Sequence, residues 1–169
     1  ARDASPNLLL INQRDGTFRD VASDAEVAYD FAGVAKAGMG VDAGDVNADG
    51  RPDFVITNFN DQYDSLLVRT NSLLYEDRAM ESGLARYSKK FVGWGVHYID
   101  FDNDGNLDLL IVNGHINDAI EATRVDVKYR EPPLLLRNTG RVSYEDFRAS
   151  AGDAFQKSYS GRGLAIGDW

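Results

Sequence analysis

No cysteine occurs in the 169 residues, so disulfides, thiolate metal sites and thiol nucleophiles are excluded and the redox compartment is left open. No run of 18 apolar residues is present, so nothing in the sequence reads as a membrane-spanning helix. Positive charge is scarce as well. Lysine and arginine number 18 against 27 acids, for a net charge of −9, and no basic stripe suits a nucleic acid. The first residues, Ala1 to Pro6, are not a signal peptide, and no Asn-x-Ser/Thr acceptor occurs. Enzyme signatures are also missing: there is no Gly-x-Ser-x-Gly elbow, no His-Glu-x-x-His pair and no P-loop.

What the sequence does contain is repeated acid. Asp100, Asp102, Asp104 and Asp108 take positions 1, 3, 5 and 9 of a loop with Gly105 at position 6. The same pattern stands earlier as Asp45, Asn47, Asp49 and Asp53 with Gly50. Seven of the 27 acids lie in these two loops. Alternating carboxylates in a tight loop repel one another unless a cation sits among them. Oxygen-only ligands around a glycine that permits positive φ suit Ca²⁺. The expected ligands are the side chains at positions 1, 3, 5 and 9 and the backbone carbonyls of Arg51 and Asn106 at position 7. A metal-free, Asx-rich turn is the bland alternative. Asn47 leaves the first loop one negative charge short, so it is expected to bind more weakly. An EF-hand is ruled out, because position 12 is Ile56 or Ile111 inside an apolar β-type run where a glutamate and a helix would be needed.

Around the loops the chain repeats as a unit. Strands are expected over 38–45, 54–58, 66–69 and 73–77, and again over 93–100, 109–113, 134–137 and 142–147, with turns at Thr70–Ser72 and Asn138–Gly140. An Asp15-Gly16 turn joins two further strands over 7–12 and 17–22, with Leu8-Leu9-Leu10 matching Leu134-Leu135-Leu136. Asp45 and Asp100 lie 55 positions apart, and Asp100 and Asp168 lie 68 apart. The whole excess of 13 falls between Gly114 and Leu134, because Arg69 to Gly93 and Arg137 to Gly161 both span 24. One insertion in one loop of a fixed repeat is how propellers vary. The expected fold is all-β: a β-propeller segment of four-stranded antiparallel blades. Residues 1–37 form the last two strands of a preceding blade and a connection. Residues 38–92 form a blade with the loop at 45–53. Residues 93–160 form a blade with the loop at 100–108 and the insertion at 115–133. Residues 161–169 begin another, whose loop keeps only Asp168.

Other residues carry weaker signals. Gly-x-Gly at 38–40, 93–95 and 161–163 reads as close backbone packing rather than phosphate binding, since no helix follows. His115 heads the insertion and reads as a turn or packing histidine or, alternatively, a ligand-binding one. His97 reads as a core or channel-lining residue, and Trp94 and Tyr98 as packing residues. Tyr98 and His115 could together line a cleft. The insertion is a solvated loop or, because long loops on rigid scaffolds carry function, a binding loop.

Asp-x-Asp/Asn-x-Asp-Gly-x-x-Asp between a Gly-led strand and an apolar strand resembles the FG-GAP/VCBS repeat, the blade unit of integrin α-like propellers. Gly93-Trp94-Gly95-Val96, Val112-Asn113-Gly114-His115, Pro133-Leu134-Leu135-Leu136-Arg137-Asn138 and Gly161-Arg162-Gly163-Leu164-Ala165 resemble the ASPIC/UnbV, or cartilage acidic protein 1-like, family. The resemblance implies a propeller of about seven blades, two Ca²⁺ sites with a third begun at Asp168, and an extracellular or periplasmic location. It also implies an adhesion or binding role toward a protein or glycan. The alternative is a Ca²⁺-stabilised propeller enzyme acting on polysaccharide. Asn47 departs from the commoner aspartate of the motif, and the C-terminal ASPIC/UnbV region is absent. With about two and a half blades, the open edges are expected to be covered by the rest of the propeller or by self-association.

Overall fold

A computed structural model describes residues 1–167; Asp168, and with it the start of the third loop, lies outside the described residues. The chain is a partial β-propeller. Strands β1 (Leu10–Asn12) and β2 (Phe18–Asp20) form a hairpin. Strands β3 (Val41–Gly44), β4 (Asp53–Ile56), β5 (Ser65–Arg69) and β6 (Tyr75–Asp77) form one antiparallel meander. Strands β7 (Gly93–Ile99), β8 (Asp108–Asn113), β9 (Leu134–Asn138) and β10 (Tyr144–Asp146) form a second with the same order.

The repetition extends to register. Leu10 pairs with Asp20, Leu67 with Asp77 and Leu136 with Asp146. At the exit of the hairpin, Asp20 Oδ1 accepts the amides of Leu9 (3.1 Å) and Ala22 (3.0 Å). Asp77 Oδ1 does the same for Leu66 and Ala79, both at 3.1 Å. One short acid thus ends the strand and turns the chain away, as Asx side chains do when they outbid the backbone ladder.

The middle strands of the first meander, β4 and β5, are buried on both faces. Val55, Leu66 and Val68 pack with Val96, Leu109, Ile111, Leu134 and Leu136 in a core between the two meanders. On the other face, Ile56 and Leu67 pack with Ala22, Ala25, Val27 and Ala28. A continuous apolar run such as Leu66-Leu67-Val68 is what a strand covered on both sides requires. The second Gly of the Gly-x-Gly pair makes the junction possible. A Cβ on Gly40 would fall inside van der Waals contact of the Trp94 carbonyl, and one on Gly95 would meet Gly163 and Leu164.

Several boundaries differ from the sequence expectation. Strand β3 covers four residues rather than 38–45, because Thr57 intervenes. Its hydroxyl accepts the Gly40 amide (2.8 Å) and donates to the Trp94 carbonyl (2.7 Å), which turns the start of the strand toward the neighbouring sheet. Strand β10 starts at Tyr144 rather than at 142, since Arg141 and Val142 hold φ of +56° and +58° and extend the turn. A five-residue helix α1 (Leu84–Ser88), unassigned in the sequence reading, follows Gly83 at φ +86° and buries Leu84, Ala85 and Ser88.

Two buried carboxylates mark the entries to β5 and β9. Asp64 Oδ1 accepts the Asn58 amide (2.8 Å), and Glu131 Oε2 accepts the Val92 amide (2.9 Å); the second oxygen of each has no partner. Burial pushes both carboxyls up to about 7, against ordinary values of 3.8 and 4.5. Raised folded values stabilise the protein fully below about pH 4, and that stability is lost as pH rises through about 7. The loss between pH 5 and pH 8 is on the order of 2 kcal/mol per group. Denaturation in EDTA should therefore show a lower midpoint at pH 8 than at pH 5, and Glu131→Gln should flatten that slope.

Candidate metal centre

The two acidic loops fold alike. Asp45 accepts the amides of Asp49 (2.9 Å) and Gly50 (2.7 Å), one on each oxygen. Asp100 accepts those of Asp104 and Gly105, both at 3.0 Å. Gly50 and Gly105 stand at φ +81° and +86°, the left-handed region that favours glycine. Position 4 is left-handed too, at Ala48 and Asn103, both at φ +57°.

The ninth position is a brace. Asp53 is fully buried and accepts Val46 N–H (3.0 Å) on one oxygen and Arg69 N–H (2.8 Å) on the other. Asp108, equally buried, accepts Phe101 N–H (3.1 Å) and Asn138 N–H (2.8 Å). Each carboxylate thereby ties the loop's second residue to the third strand of its blade. Burial raises both carboxyls, and the amide bonds oppose it.

The loops differ at their mouths. In the second, Asp100, Asp102 and Asp108 each offer an oxygen within 4.8 Å of the others. That separation is twice a Ca²⁺–oxygen distance of about 2.4 Å. Asp102 Oδ1 is buried and has no hydrogen-bond partner among the described residues. An inward oxygen left bare, among hard oxygen donors only, fits a hard cation. Asp104 stays outside this set. Its Oδ1 accepts the amide (2.8 Å) and side chain (2.9 Å) of Asn106, which hold its carboxyl below the usual range.

In the first loop, the carboxylates of Asp45, Asp49 and Asp53 do not converge in this way among the described residues. The loop closes on itself. Asp49 Oδ2 accepts Asn47 Nδ2 (2.9 Å) and the Arg51 guanidinium (2.7 Å), and Asp49 Oδ1 accepts the Arg51 amide (3.0 Å).

Arg137 was not singled out from the sequence. It reaches from β9 to place Nε 2.7 Å from Asp102 Oδ2, near but not aligned to donate, with its terminal nitrogen 3.6 Å from Asp104. The repeat arithmetic pairs it with Arg69, but the strand register places Arg137 at the position of Val68 and Arg69 at that of Asn138, so the spacing is off by one residue and could not reveal the contact. The Arg69 side chain turns to the carbonyls of Asn71 and Ser72.

Tyr98 and His115 are not brought together. Tyr98 is 7% exposed, its ring lies where a Cβ on Gly44 would meet it, and its hydroxyl has no partner. His115 is 4% exposed and packs on Phe59, with its Nδ1 accepting the Asn117 amide (3.0 Å). His97 Nδ1 lies 3.2 Å from Asp42 Oδ2, which also accepts the Tyr98 amide (2.9 Å), so the pair joins β3 to β7.

Comparison with known proteins agrees with this architecture. The model for the FG-GAP-like repeat matches residues 1–56, a span that holds the first acidic loop. Cartilage acidic protein 1 of Xenopus tropicalis is 30% identical over 169 aligned residues, covering 97% of this chain. The chain spans only 23% of that relative's length. The match over residues 1–56, the similarity to that relative and the shared strand register of the two meanders support one reading of the architecture, a partial β-propeller of FG-GAP-like repeats.

Proposed function

We propose that this chain is a calcium-stabilised segment of an FG-GAP-type propeller that serves as an extracellular binding scaffold for a protein or glycan. The convergence of Asp100, Asp102 and Asp108 around a bare, buried Asp102 oxygen carries this reading. These three side chains, with the Asn106 carbonyl and water, would hold Ca²⁺, and Asp104 would join by releasing Asn106. The bound ion supplies positive charge that lets the carboxylates approach. In the first loop Asp45, Asn47, Asp49, Asp53 and the Arg51 carbonyl would do the same after Arg51 lets go of Asp49. Extracellular calcium-binding modules bind with dissociation constants of about 10⁻⁴–10⁻³ M, which supports a compartment rich in Ca²⁺. Among the described residues no helix is long and apolar enough to cross a membrane. Leu10 and Phe18 of the hairpin are 53% and 61% exposed, which supports coverage of that hairpin by further blades.

Calorimetric titration with CaCl₂ tests the reading. The second loop should bind more tightly, because three of its carboxylates already converge whereas the first must break the Asn47–Asp49–Arg51 contacts. Asp102→Ala should remove the tighter event and leave the weaker one. Absence of any binding up to about 10 mM, well above the range for such modules, would refute both sites.

A further inference from the structure

A cleft of about 400 Å³ opens between α1 and the insertion. Arg86, Lys89 and Lys90 come from α1 and the residues after it, Asp61 from the β4–β5 connection, and Asp126 from the insertion. The buried Ala85 and Val127 add apolar surface. No shorter repeat could build this cleft, because its second side is the stretch that lengthens the second unit.

The insertion's Lys128 and Arg124 are already paired. Lys128 bonds Glu121 (2.8 Å). Arg124 grips Asp126 with Nε (3.0 Å) and a terminal nitrogen (2.8 Å), and its other terminal nitrogen bonds Asp61 (3.1 Å). One guanidinium therefore serves both carboxylates of the cleft and is itself pinned by them. Arg86, Lys89 and Lys90 are exposed, and among the described residues none forms an ion pair with a carboxylate. The Arg86 guanidinium lies over the Tyr87 ring, 4.5 Å from its centroid, and bonds its hydroxyl, which fixes its direction. With Arg124 counted, four cations face two carboxylates, a local excess of two positive charges on a chain of net −9.

We propose that this cleft binds an anionic polysaccharide, with its sulfate or carboxylate groups on Arg86, Lys89 and Lys90. The remaining acceptors decide between classes of anion. Asp61 and Asp126 would repel a ligand that offers only acids, but they accept hydrogen bonds from hydroxyls, and a charged sugar carries both. A nucleic acid would need a longer basic stripe than the three lining cations of this cleft supply. The proposal rests on the reading of the chain as a binding scaffold and assigns that scaffold one ligand class and one face.

The test is binding of fluorescent sulfated and uronate-containing oligosaccharides, with polyglutamate alongside, to the whole chain in about 2 mM CaCl₂, above the dissociation constants of such modules. Saturable glycan binding should weaken at least tenfold in Lys89→Glu/Lys90→Glu and fall as NaCl rises from about 50 to 200 mM. The exposed Lys157→Glu should leave it unchanged. Absent glycan binding, glycan binding indifferent to the double variant, or equal binding of polyglutamate each overturns the proposal. Thermal melts of the same samples with and without Ca²⁺ separate the two readings: a normal Ca²⁺ response without glycan binding sinks the cleft and spares the loops. Should the charge reversal unfold the chain, Lys89→Gln/Lys90→Gln takes its place, with a severalfold loss expected.

Discussion

Replacing Asp108 with alanine should cost about 3–5 kcal/mol even in EDTA, since it strands two buried amides at roughly 1–3 kcal/mol each and leaves a small cavity. The amides are those of Phe101 and Asn138, at 3.1 and 2.8 Å from a side chain with no exposure. Without them the loop is no longer tied to β9, and Asp100 and Asp102 lose the third member of their set. Urea denaturation of Asp108→Ala beside Asp104→Ala checks this. Asp104 bonds only within its own loop and with Arg137, at the surface, so its removal in EDTA should cost far less than that of Asp108. Equal costs for the two variants would mean that position 9 is a surface acid and no brace.

The second large effect is expected at Gly40. A Cβ there would overlap the Trp94 carbonyl, a backbone atom of the neighbouring sheet that cannot rotate away. Relief requires the two meanders to separate, which opens the core shared by Val55, Leu66, Ile111 and Leu134. Gly40→Ala should destabilise by more than about 3 kcal/mol, at or beyond the upper end of overpacking penalties. Gly163, at the corresponding place in the next copy, has no atom within 4 Å of its would-be Cβ. Gly163→Ala should stay within about 0.5 kcal/mol, the usual range away from such contacts. Denaturant midpoints of the two variants make the comparison directly.

Much of this fold can be read without coordinates because it rests on features that alternate or recur along the chain. Asp-Gly at a fixed offset from an apolar run marks both acidic loops, and Leu8–Leu10, Leu66–Val68 and Leu134–Leu136 mark the third strands. What spacing cannot show is which partner a side chain selects. Asp53 and Asp108 read as closing ligands, yet one oxygen of each is taken by an amide 7 residues back in the loop and the other by an amide 16 or 30 residues further on. Arg69 and Arg137 match in spacing but not in register, where Arg69 stands with Asn138 and Arg137 with Val68. Position 4 of the loops is left-handed at an alanine as well as an asparagine, a conformation imposed by the loop and not announced by residue type. Helix α1 was missed because five residues cannot display an amphipathic period. The cleft beside it depends on a contact between two connections, which no periodicity encodes.

The central claim is that these loops bind metal in the folded chain, and thermal melting in EDTA against about 5 mM CaCl₂ tests it most directly. With dissociation constants of about 0.1–1 mM, each site adds roughly 1–2 kcal/mol to the folded state. The midpoint should then rise by roughly 2–4 °C per kcal/mol for a chain of this size. Asp102→Ala should remove the larger part of the rise, and Asp49→Ala the smaller. A midpoint that stays unchanged across several Ca²⁺ concentrations would contradict the account and leave the loops as acidic turns on an FG-GAP-like propeller.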